Sequence, residues 1–528
     1  MEKLLGVMLD CSRSAVMNVE TVKKYADIIK KMGYNTLMLY TEDTYEVDNQ
    51  PWFGHWRGRY SKEELKSIDD YCYSIGIEVV PCIQTLAHLE YLFKWDEIYG
   101  PIKDCDNILL AGAEGTYNLI EDMISTIVQC FRSKKIHIGM DEAHNVGNGK
   151  YKALNGTQDR FEIINSHLHR VCEILEKYDL EAMIWSDMFV RLALDVQDQY
   201  DDGDVSKILE KSKLPENVTL VYWDYDTKDY EKCVKLIKTN KSFERKVYFA
   251  GGAQSWCGFT SDCEYSINCM DKALQACLDE EIDGVFLTIW GNNGAECSYF
   301  TALPTLLYTA EVFNGNRDME SIKKKFRSIV GCDFDAFMLL DKLDKPGGRH
   351  YMGACKYLLY NDVFMGLKDY LCKTEDDLFF EGMAKQIHSI EEKGNYAYLF
   401  DSCEKLAETL AVKAALGIRT REAYQKRDIP LLENIIKDYD VFVERMYEFY
   451  DTFQKLWFTE NKPHGFDVHD IRFGGVIHRA NSCKKRLMQL VNGEINSIPE
   501  LDEAVLDSKG CVDWWPDLCS PNSAVFRT

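Results

Sequence analysis

Short apolar runs alternate with longer amphipathic stretches over about the first 300 residues of the chain. The runs are rich in β-branched and aromatic residues, as expected of buried strands. Stretches such as 22–32 and 62–75 have helical spacing, and a glycine follows each of them. The pattern predicts eight βα units, whose strands are Leu4–Asp10, Thr36–Thr41, Glu78–Ile83, Lys135–Gly139, Glu181–Ser186, Val218–Trp223, Lys246–Ala253 and Asp283–Trp290.

The number of these units predicts the fold class. Eight βα units in a little over 300 residues fit an α/β protein with a (β/α)8 barrel of the TIM type better than an open sheet. Beyond about residue 310 the strand-like runs disappear, and amphipathic stretches such as 406–416, 431–449 and 482–491 replace them. We therefore expect a barrel over residues 1–310 and a mostly α-helical C-terminal domain over residues 311–528.

Composition and charge exclude several classes of protein. With 46% hydrophobic and 28% charged residues among 528, the chain has the composition of a globular protein. Its net charge of -24 disfavours a nucleic-acid or anionic-membrane partner, because such binders need a clustered cationic face. The 19 cysteines include no C-x-x-C pair, and the amino-terminal apolar run meets Asp10 before it is long enough for an export signal. We expect reduced thiols and a cytoplasmic location.

Chemistry in a barrel of this kind is built at the carboxyl ends of the strands. Acidic, amide and aromatic residues dominate those positions in this sequence. They are Asp10 and Arg13, then Tyr40, Glu42 and Asp43, then Gln84 and His88, Asp141 and Glu142, Trp185 and Asp187, Trp223 and Tyr225, Trp256, and finally Trp290, Asn292 and Glu296.

Four of the ten tryptophans fall at or just after the ends of the last four predicted strands. Flat indole faces stack on the apolar C–H faces of a sugar, while carboxylates and amides bind its hydroxyl groups. The alternative is that these large side chains cap the core of the barrel. Taken together with the neighbouring acids, the four indoles favour a sugar pocket.

The adjacent Asp141 and Glu142 follow the fourth predicted strand. Neighbouring residues that leave a strand point in different directions, so the two carboxyl groups can take different roles around one bond. Most Asp-Glu dipeptides are solvated charges. At the end of a barrel strand, however, an acid beside a carboxylate matches what cleavage of a glycosidic bond requires.

The segment HIGMDEAH (137–144) resembles the H-x-G-x-D-E signature of family 20 glycoside hydrolases, the β-N-acetylhexosaminidases. Segments 6–13, 76–88 and 288–297 are similar to other parts of that family. Segments 358–366 and 456–468 resemble a cytosolic bacterial subgroup with a helical C-terminal domain. The resemblance therefore extends over nearly the whole chain.

The resemblance implies an exo-acting enzyme that removes terminal β-GlcNAc or β-GalNAc from an oligosaccharide or glycoconjugate with retention of configuration. Glu142 would act as general acid and then base, while the substrate's own acetamido oxygen forms an oxazolinium intermediate. Asp141 would bind the acetamido N–H, and Tyr225 its oxygen. Four indoles would form the walls of the pocket, namely those of Trp185, Trp223, Trp256 and Trp290.

Further residues complete the implied site. Glu296, Arg13 and Asp10 would hold sugar hydroxyls, and His88 and His137 would brace the acid from behind, although each imidazole is equally explained as a satisfied buried group. No second His, Cys or carboxylate falls at ligand spacing around the histidines, so we expect neither a metal nor a cofactor.

The sequence departs from the family pattern at three places. Leu5 stands where an arginine usually grips the sugar, Gln84 stands where an acid is common, and Leu86-Ala87 replace Pro-Gly. By analogy with relatives that have a helical domain, we expect a homodimer in which Trp457, or Trp514 and Trp515, border the partner's site. Core packing within one chain explains these tryptophans equally well.

Two alternatives remain open at this point. One is a sugar-binding barrel protein without catalysis, although a lectin needs no proton donor such as the Asp141-Glu142 pair. The other is a barrel glycosidase that uses two carboxylates and makes no use of an acetamido group.

Overall fold

The computed structural model describes residues 3–506 except 212 and 293. Its centre is a closed barrel of eight parallel strands in the order β1-β10-β9-β8-β7-β6-β3-β2, so the predicted fold class is confirmed. The barrel strands are β1 (Leu4–Asp10), β2 (Thr36–Tyr40), β3 (Glu78–Cys82), β6 (Lys135–His137), β7 (Glu181–Trp185), β8 (Val218–Trp223), β9 (Lys246–Gly252) and β10 (Gly284–Ile289). Each predicted run contains one of them, and the ends differ by no more than two residues.

Side chains of the barrel strands alternate between two cores. On β1, Leu5, Val7 and Leu9 pack outward under the helices. Leu4 and Met8 point into the barrel, where Phe286 and Trp185 belong to the same cluster. Every residue of β1 is buried, which is why the strands of a parallel barrel are apolar on both faces.

Eleven helices surround the barrel. The first begins at the N-cap Asn18 and is followed by Gly33 with φ 111, and the second begins with a capping box of Ser61 and Glu64. The eleven are α1 (Val19–Met32), α2 (Lys62–Ser74), α3 (Asp96–Tyr99), α4 (Glu114–Cys130), α5 (Lys150–Asn155), α6 (Arg160–Glu176), α7 (Asp187–Leu194), α8 (Ser206–Lys211), α9 (Tyr230–Lys241), α10 (Cys263–Asp279) and α11 (Leu303–Phe313).

Several short elements of the barrel region were not predicted. Strands β4 (Lys103–Cys105) and β5 (Ile108–Leu109) form a two-stranded antiparallel sheet in the long connection between β3 and α4. Short 3₁₀ helices occupy Leu92–Lys94, Gly100–Ile102 and Tyr299–Ala302. These segments are too short for a hydrophobic period to indicate them.

Beyond the barrel, the described chain is helical up to residue 502. This region consists of α12 (Met319–Val330), α13 (Phe334–Leu340), α14 (Ala354–Tyr360), α15 (Asp376–His388), α16 (Ala397–Lys413), α17 (Leu416–Gln425), α18 (Ile429–Glu460), α19 (Phe466–Val491) and α20 (Pro499–Asp502), with 3₁₀ turns at Asp341–Asp344, Pro346–Gly348, Asp369–Leu371 and Gly394–Tyr396. The predicted boundary at residue 310 lies inside α11, which packs against α10 and α1 as the last barrel helix. The division into two domains stays a prediction.

The helical region packs directly on the barrel. The N–H of Asn18 donates to the carbonyl of Glu460, and the ammonium of Lys462 donates to Glu64 at 2.6 Å. Trp457 is fully buried, and its indole N–H donates to the carbonyl of Lys462 within the same chain. Trp457 is therefore a core residue that does not face a partner, whereas Trp514 and Trp515 lie outside the described residues.

None of the described helices has the length and apolar character that crossing a bilayer would need.

Candidate active site

A cavity of about 220 Å³ opens at the carboxyl ends of the barrel strands. Nine of the twelve residues that the sequence suggested for the site line it, and Asp10, His137 and Glu296 do not. The lining residues are Arg13, Tyr40, His88, Asp141, Glu142, Trp185, Trp223, Tyr225, Trp256, Trp290 and Asn292.

The backbone that presents the two adjacent carboxyl groups is unusual. After β6 the chain passes through left-handed conformations at Gly139 (φ 71), Met140 (φ 77) and Glu142 (φ 48). A Cβ atom on Gly139 would lie 2.0 Å from Oε1 of Gln84, so only glycine fits there. Left-handed residues other than glycine carry strain, and such strain is concentrated at functional sites.

The carboxylate of Asp141 has two close partners, the amide of Gln84 and the imidazole of His88. Nε2 of Gln84 donates to Oδ1 at 2.8 Å, and Nε2 of His88 lies 3.1 Å from Oδ2. The same amide nitrogen of Gln84 lies 2.8 Å from the hydroxyl of Tyr40. The glutamine that departs from the family pattern thus stabilises an ionised Asp141, whereas an ionised acid in its place would repel it.

Glu142 faces the cavity more openly than its neighbour. Its side chain is 46% exposed, and Oε2 lies 3.4 Å from Nε2 of His88. Its backbone N–H donates to Oδ2 of the buried Asp187 at 3.0 Å. This hydrogen bond stabilises the left-handed turn at Glu142. Asp187 was not among the predicted site residues, although its position directly after β7 is a signal that could have identified it.

Ionisation in the empty site follows from these contacts. Burial alone would lower the pKa of His88, but the charge and hydrogen bond of Asp141 raise it well above 6.5. Burial would likewise raise the pKa of Asp141, and the charge of His88 outweighs it, so the pKa is lowered. The hydrogen bond from His88 also lowers the pKa of Glu142. The imidazolium of His88 is therefore the counter-ion of both carboxylates.

A third carboxyl group lies behind this cluster. Burial, followed by the charge of Asp141, raises the pKa of Asp187 to about 7. Around neutral pH Asp187 is thus partly protonated, and it adds less negative charge behind the Asp141-Glu142 pair than a normal aspartate would.

Aromatic rings form the floor and walls of the cavity. Trp185 is 1% exposed and shares the barrel core with Phe286, so it is both a core cap and the floor. The indole N–H of Trp290 donates to the hydroxyl of Tyr225 at 3.0 Å. Trp223 stacks on Tyr225 with ring centroids 5.2 Å apart, and the ring centroid of Trp256 also lies 5.2 Å from that of Tyr225. Burial raises the pKa of Tyr225, so its hydroxyl stays protonated.

Asp10, which we expected to hold a sugar hydroxyl, does not line the cavity. Its Oδ1 accepts from the N–H and hydroxyl of Ser12, and its Oδ2 accepts from the N–H of Gly291 at 2.9 Å. Asp10 therefore ties the end of β1 to the loop after β10. Arg13 does line the cavity, 3.3 Å from Oε1 of Glu42 and 3.8 Å from Oδ2 of Asp10.

Glu296, another residue that we expected to hold a sugar hydroxyl, does not line the cavity either. Its carboxylate accepts from Lys356 at 2.9 Å and from Arg472 at 2.7 Å, both supplied by the helical region. Burial would raise the pKa of Glu296, but these two charges lower it to about 2. The side chain is buried, and its carboxylate is held by cations of the helical region.

His137 lies beneath the site. Its Nδ1 accepts from the N–H of Gly139 at 3.1 Å, and its ring packs on Trp185 with centroids 4.4 Å apart. Burial lowers the pKa of His137 to about 3, so the ring is neutral. It supports the turn that carries the carboxylates and does not contact the acid itself.

Tyr40 and Asn292 complete the cavity lining and were not among the predicted site residues. Tyr40 is the last residue of β2, and Asn292 follows β10, so strand-end position was the signal that pointed to them. In the part of the chain that the structure describes, no three His, Cys, Asp or Glu side chains are grouped as metal ligands.

Comparison with known proteins places these features in a family. The model described as "Glycosyl hydrolase family 20, catalytic domain" matches residues 4–278, and the "Glycoside Hydrolase 20C C-terminal domain" matches residues 335–513. The chain is 24% identical over 230 residues to Hexosaminidase D of Bos taurus, covering 41% of this chain and 62% of that protein. It is 28% identical over 213 residues to Beta-hexosaminidase of Vibrio furnissii, covering 32% and 34%.

The chain thus spans less than two thirds of the length of these curated relatives. Among solved structures, the β-N-acetylhexosaminidase from Bacteroides fragilis matches with a TM-score of 0.47 at 20% identity, over 62% of this chain and 70% of that one. The catalytic-domain match covers more than half of the chain and includes His88, Asp141 and Glu142. The chain belongs to glycoside hydrolase family 20.

Proposed function

We propose that the protein is an exo-β-N-acetylhexosaminidase, which hydrolyses terminal non-reducing β-GlcNAc or β-GalNAc by a retaining, substrate-assisted mechanism. The observation that carries the proposal is the Asp141-Glu142 pair, held in a strained turn at the wall of a cavity lined by four indoles. An oligosaccharide or glycoconjugate is the substrate class that such a cavity fits.

The shape of the cavity supports an exo mode of action. Trp185 closes its floor against the barrel core, so a sugar chain has no second exit. A cavity of about 220 Å³ suits one sugar residue with the remainder of the substrate outside. The terminal residue is therefore the one that reaches the carboxylates.

Asp141 is arranged to bind and not to attack. Both of its oxygens are engaged, one by Gln84 and one by His88, and its lowered pKa keeps it ionised. An ionised, fixed carboxylate is suited to accept the acetamido N–H and to stabilise the positive charge that develops on the cyclising group. The protonated hydroxyl of Tyr225 is the donor for the acetamido oxygen. The acetamido oxygen then attacks the anomeric carbon with correct orientation.

Glu142 is the proton donor and, in the second step, the base that activates water. In the empty cavity His88 lowers its pKa, whereas a general acid needs a pKa near the working pH. A sugar in the cavity removes water from the half-exposed carboxyl group, and desolvation raises the pKa of a carboxyl group. We expect substrate binding to protonate Glu142.

These contacts disfavour the two alternative functions. A sugar-binding protein without catalysis has no use for an exposed carboxyl group in a left-handed turn, because such a turn is strained. A two-carboxylate retaining enzyme needs a carboxylate free to attack the anomeric carbon, and Asp141 is restrained on both oxygens.

The test is a panel of p-nitrophenyl glycosides carrying β-GlcNAc, β-GalNAc and β-glucose. We expect the wild type to cleave one or both N-acetyl substrates, and the β-glucoside at least about 10²-fold more slowly, because only the former carry the nucleophile. Asp141→Asn lowers turnover of the N-acetyl substrates. Equal cleavage of the β-glucoside would contradict acetamido participation, and tight sugar binding without turnover would favour the lectin alternative.

We also propose a cytoplasmic location and a homodimer formed through the helical region. The cysteines of the described residues are free thiols, which suits a reducing compartment. Apolar side chains lie exposed on α18 and α19, with Ile471 at 75%, and we propose that they contribute to the dimer interface. Sedimentation velocity of the wild type and Ile471→Asp tests the dimer, which the charge should dissociate.

A further inference from the structure

Four aromatic residues form an exposed patch on the barrel, which we call the outer aromatic patch: Trp52, His55, Trp56 and Trp95. Trp56 is 76% exposed and Trp52 is 40% exposed. Ring centroids of Trp52 and Trp95 lie 4.7 Å apart, and those of His55 and Trp56 lie 4.6 Å apart. Large exposed indoles that cluster in this way are uncommon unless a ligand or partner covers them.

The backbone that carries the patch is strained and firmly held. Trp56 has φ 64, a left-handed conformation that a bulky residue rarely adopts. Gly54 also has a positive φ, and a Cβ there would lie 1.9 Å from the carbonyl of Asp43. The guanidinium of Arg59 donates to the carbonyls of Pro51 and Phe53. The loop therefore presents Trp56 to solvent in one fixed arrangement, at a cost in strain that persists where function requires it.

The outer aromatic patch belongs to the two loops that leave the active-site face. Trp52 and Trp56 lie on the loop after β2, which ends at Tyr40, and Trp95 lies seven residues beyond His88. Both Tyr40 and His88 line the cavity. Seven residues span at most about 25 Å when extended, and the 3₁₀ turn at Leu92–Lys94 shortens this.

Contacts of Arg57 connect the loop that carries Trp52 and Trp56 to the neighbouring loops at the carboxyl ends of the strands. The guanidinium of Arg57 lies 3.5 Å from the ring centroid of Tyr91, on the loop after β3. Its Nε donates to Asp43 at 3.2 Å, and another of its nitrogens donates to the carbonyl of Ser12 at the end of β1. Arg57 thus joins the loops that follow three barrel strands.

We propose that the outer aromatic patch binds the sugar residues on the reducing side of an oligosaccharide whose terminal residue lies in the cavity. This inference rests on the proposed function. Indole faces stack on the C–H faces of sugars, and the exposed Glu90, Lys94 and Asp96 on the same loop supply hydrogen bonds to hydroxyl groups. A mixed surface of rings and charged groups fits a sugar chain better than a second copy of this protein, whose interface core would be depleted of charge.

The test compares one short and one long substrate in the full-length protein. We measure kcat/KM for p-nitrophenyl β-GlcNAc and for chitopentaose. The quantity compared is the ratio of the value for chitopentaose to the value for p-nitrophenyl β-GlcNAc. Trp56→Gly, which suits the left-handed backbone, should lower kcat/KM for chitopentaose by about tenfold relative to the short substrate, as expected for the loss of one stacking contact. Trp52→Ala should also lower this ratio. Trp56→Phe should retain most of the wild-type ratio, because an aromatic ring remains at this position.

Tyr73→Ala is the matched control. Tyr73 is also an exposed aromatic residue, but it lies at the C-terminal end of α2, next to the amino-terminal face of the barrel. Its removal should leave the ratio unchanged. An unchanged ratio in both Trp56→Gly and Trp52→Ala would overturn the proposal, and so would an equal effect of Tyr73→Ala.

Two further outcomes separate the alternatives. A change in sedimentation coefficient for Trp56→Gly with an unchanged ratio would show that a second copy of the chain covers the patch, which contradicts the proposal. If the wild type cleaves neither substrate, the proposed function fails. Binding of chitopentaose to the wild type and Trp56→Gly, measured by calorimetry, then tests the patch alone, and equal affinities would contradict it.

Discussion

Two carboxylate clusters follow barrel strands in this protein, and they differ in what surrounds them. Asp141 and Glu142 follow β6 and face a cavity, with one imidazolium, that of His88, between them. Glu296 follows β10 and is sealed between the ammonium of Lys356 and the guanidinium of Arg472. The first cluster has more negative than positive groups and an open side. The second has one carboxylate between two cationic groups and is buried.

The difference shows that a strand end does not by itself make a residue functional. A buried carboxylate that contacts two cations has a structural role, because both of its oxygens have partners and its charge is compensated. We call such a group a structural tie. The tie holds the loop that carries Asn292, and His469 adds a hydrogen bond to the carbonyl of Gly294 at 2.9 Å. The helical region thus supports the site without contributing to its lining among the described residues.

The largest expected effect is loss of activity at the open cluster. Glu142→Gln removes the proton donor, so turnover of an activated or natural β-GlcNAc substrate should fall by about 10² to 10⁴-fold. The free energy of unfolding should change little, because the side chain is 46% exposed. Steady-state kinetics and denaturant unfolding measure both quantities.

Glu216→Gln is the control for this variant, since Glu216 is exposed just before β8, at the opposite face of the barrel. It should leave both quantities unchanged. Full activity of Glu142→Gln would assign the proton transfer to another group and would remove the contrast between the two clusters.

The next effect is loss of stability at the closed cluster. Glu296→Gln removes the carboxylate that Lys356 and Arg472 both contact, and breaking a buried ion pair in this way costs about 3–5 kcal/mol of unfolding free energy. At temperatures where the variant remains folded, turnover should fall less than in Glu142→Gln. Urea denaturation checks the stability.

The exposed pair of Glu20 and Lys23 supplies the comparison for Glu296→Gln. The two groups lie 3.1 Å apart, and Glu20→Gln should cost at most about 1 kcal/mol, because water screens the charges. Similar losses for Glu20→Gln and Glu296→Gln would show that the buried cluster is not a tie.

The pH dependence of stability sharpens the same contrast. The pKa of Glu296 is lowered from 4.5 to about 2, so its contribution is fully present above pH 4.5 and is lost as the pH falls toward 2. A shift of this size corresponds to about 3 kcal/mol. The stability difference between the wild type and Glu296→Gln should therefore be constant from pH 5 to 7 and should shrink below pH 4. A difference that does not change with pH would mean that the ion pair is not its source.

The smallest expected effect concerns the acid in the open cluster. The profile of kcat/KM against pH reports the free enzyme, in which His88 lowers the pKa of Glu142, and the profile of kcat reports the complex, in which the sugar desolvates it. The alkaline limb of kcat should lie at higher pH than that of kcat/KM. Coincident limbs would show that substrate does not raise the pKa of Glu142.

Local sequence patterns predicted the barrel well. Parallel strands are apolar on both faces, so each run was visible by itself, and the residues at the strand ends could be read directly. Arg13, His88, the Asp141-Glu142 pair and the four indoles were found in this way, because they are close to their strands and face the axis.

Residues whose surroundings depend on distant parts of the chain were not predictable. Glu296 pairs with Lys356, 60 positions away, and with Arg472, 176 positions away. No local pattern indicates those contacts. The hydrogen-bond partner of Asp10 was not predictable for a similar reason, since Gly291, which donates to it, lies 281 positions away. Long-range contacts decide whether a strand-end carboxylate faces a ligand or holds the fold together.

The central claim is that Asp141 and Glu142 act on a sugar whose own acetamido group is the nucleophile. The most direct measurement is inhibition by a GlcNAc-derived thiazoline, which imitates the cyclised intermediate. The account predicts that it competes with substrate and binds the wild type at least about 10²-fold more tightly than GlcNAc does, and that Asp141→Asn loses most of this preference. A thiazoline that binds no better than GlcNAc would contradict the account.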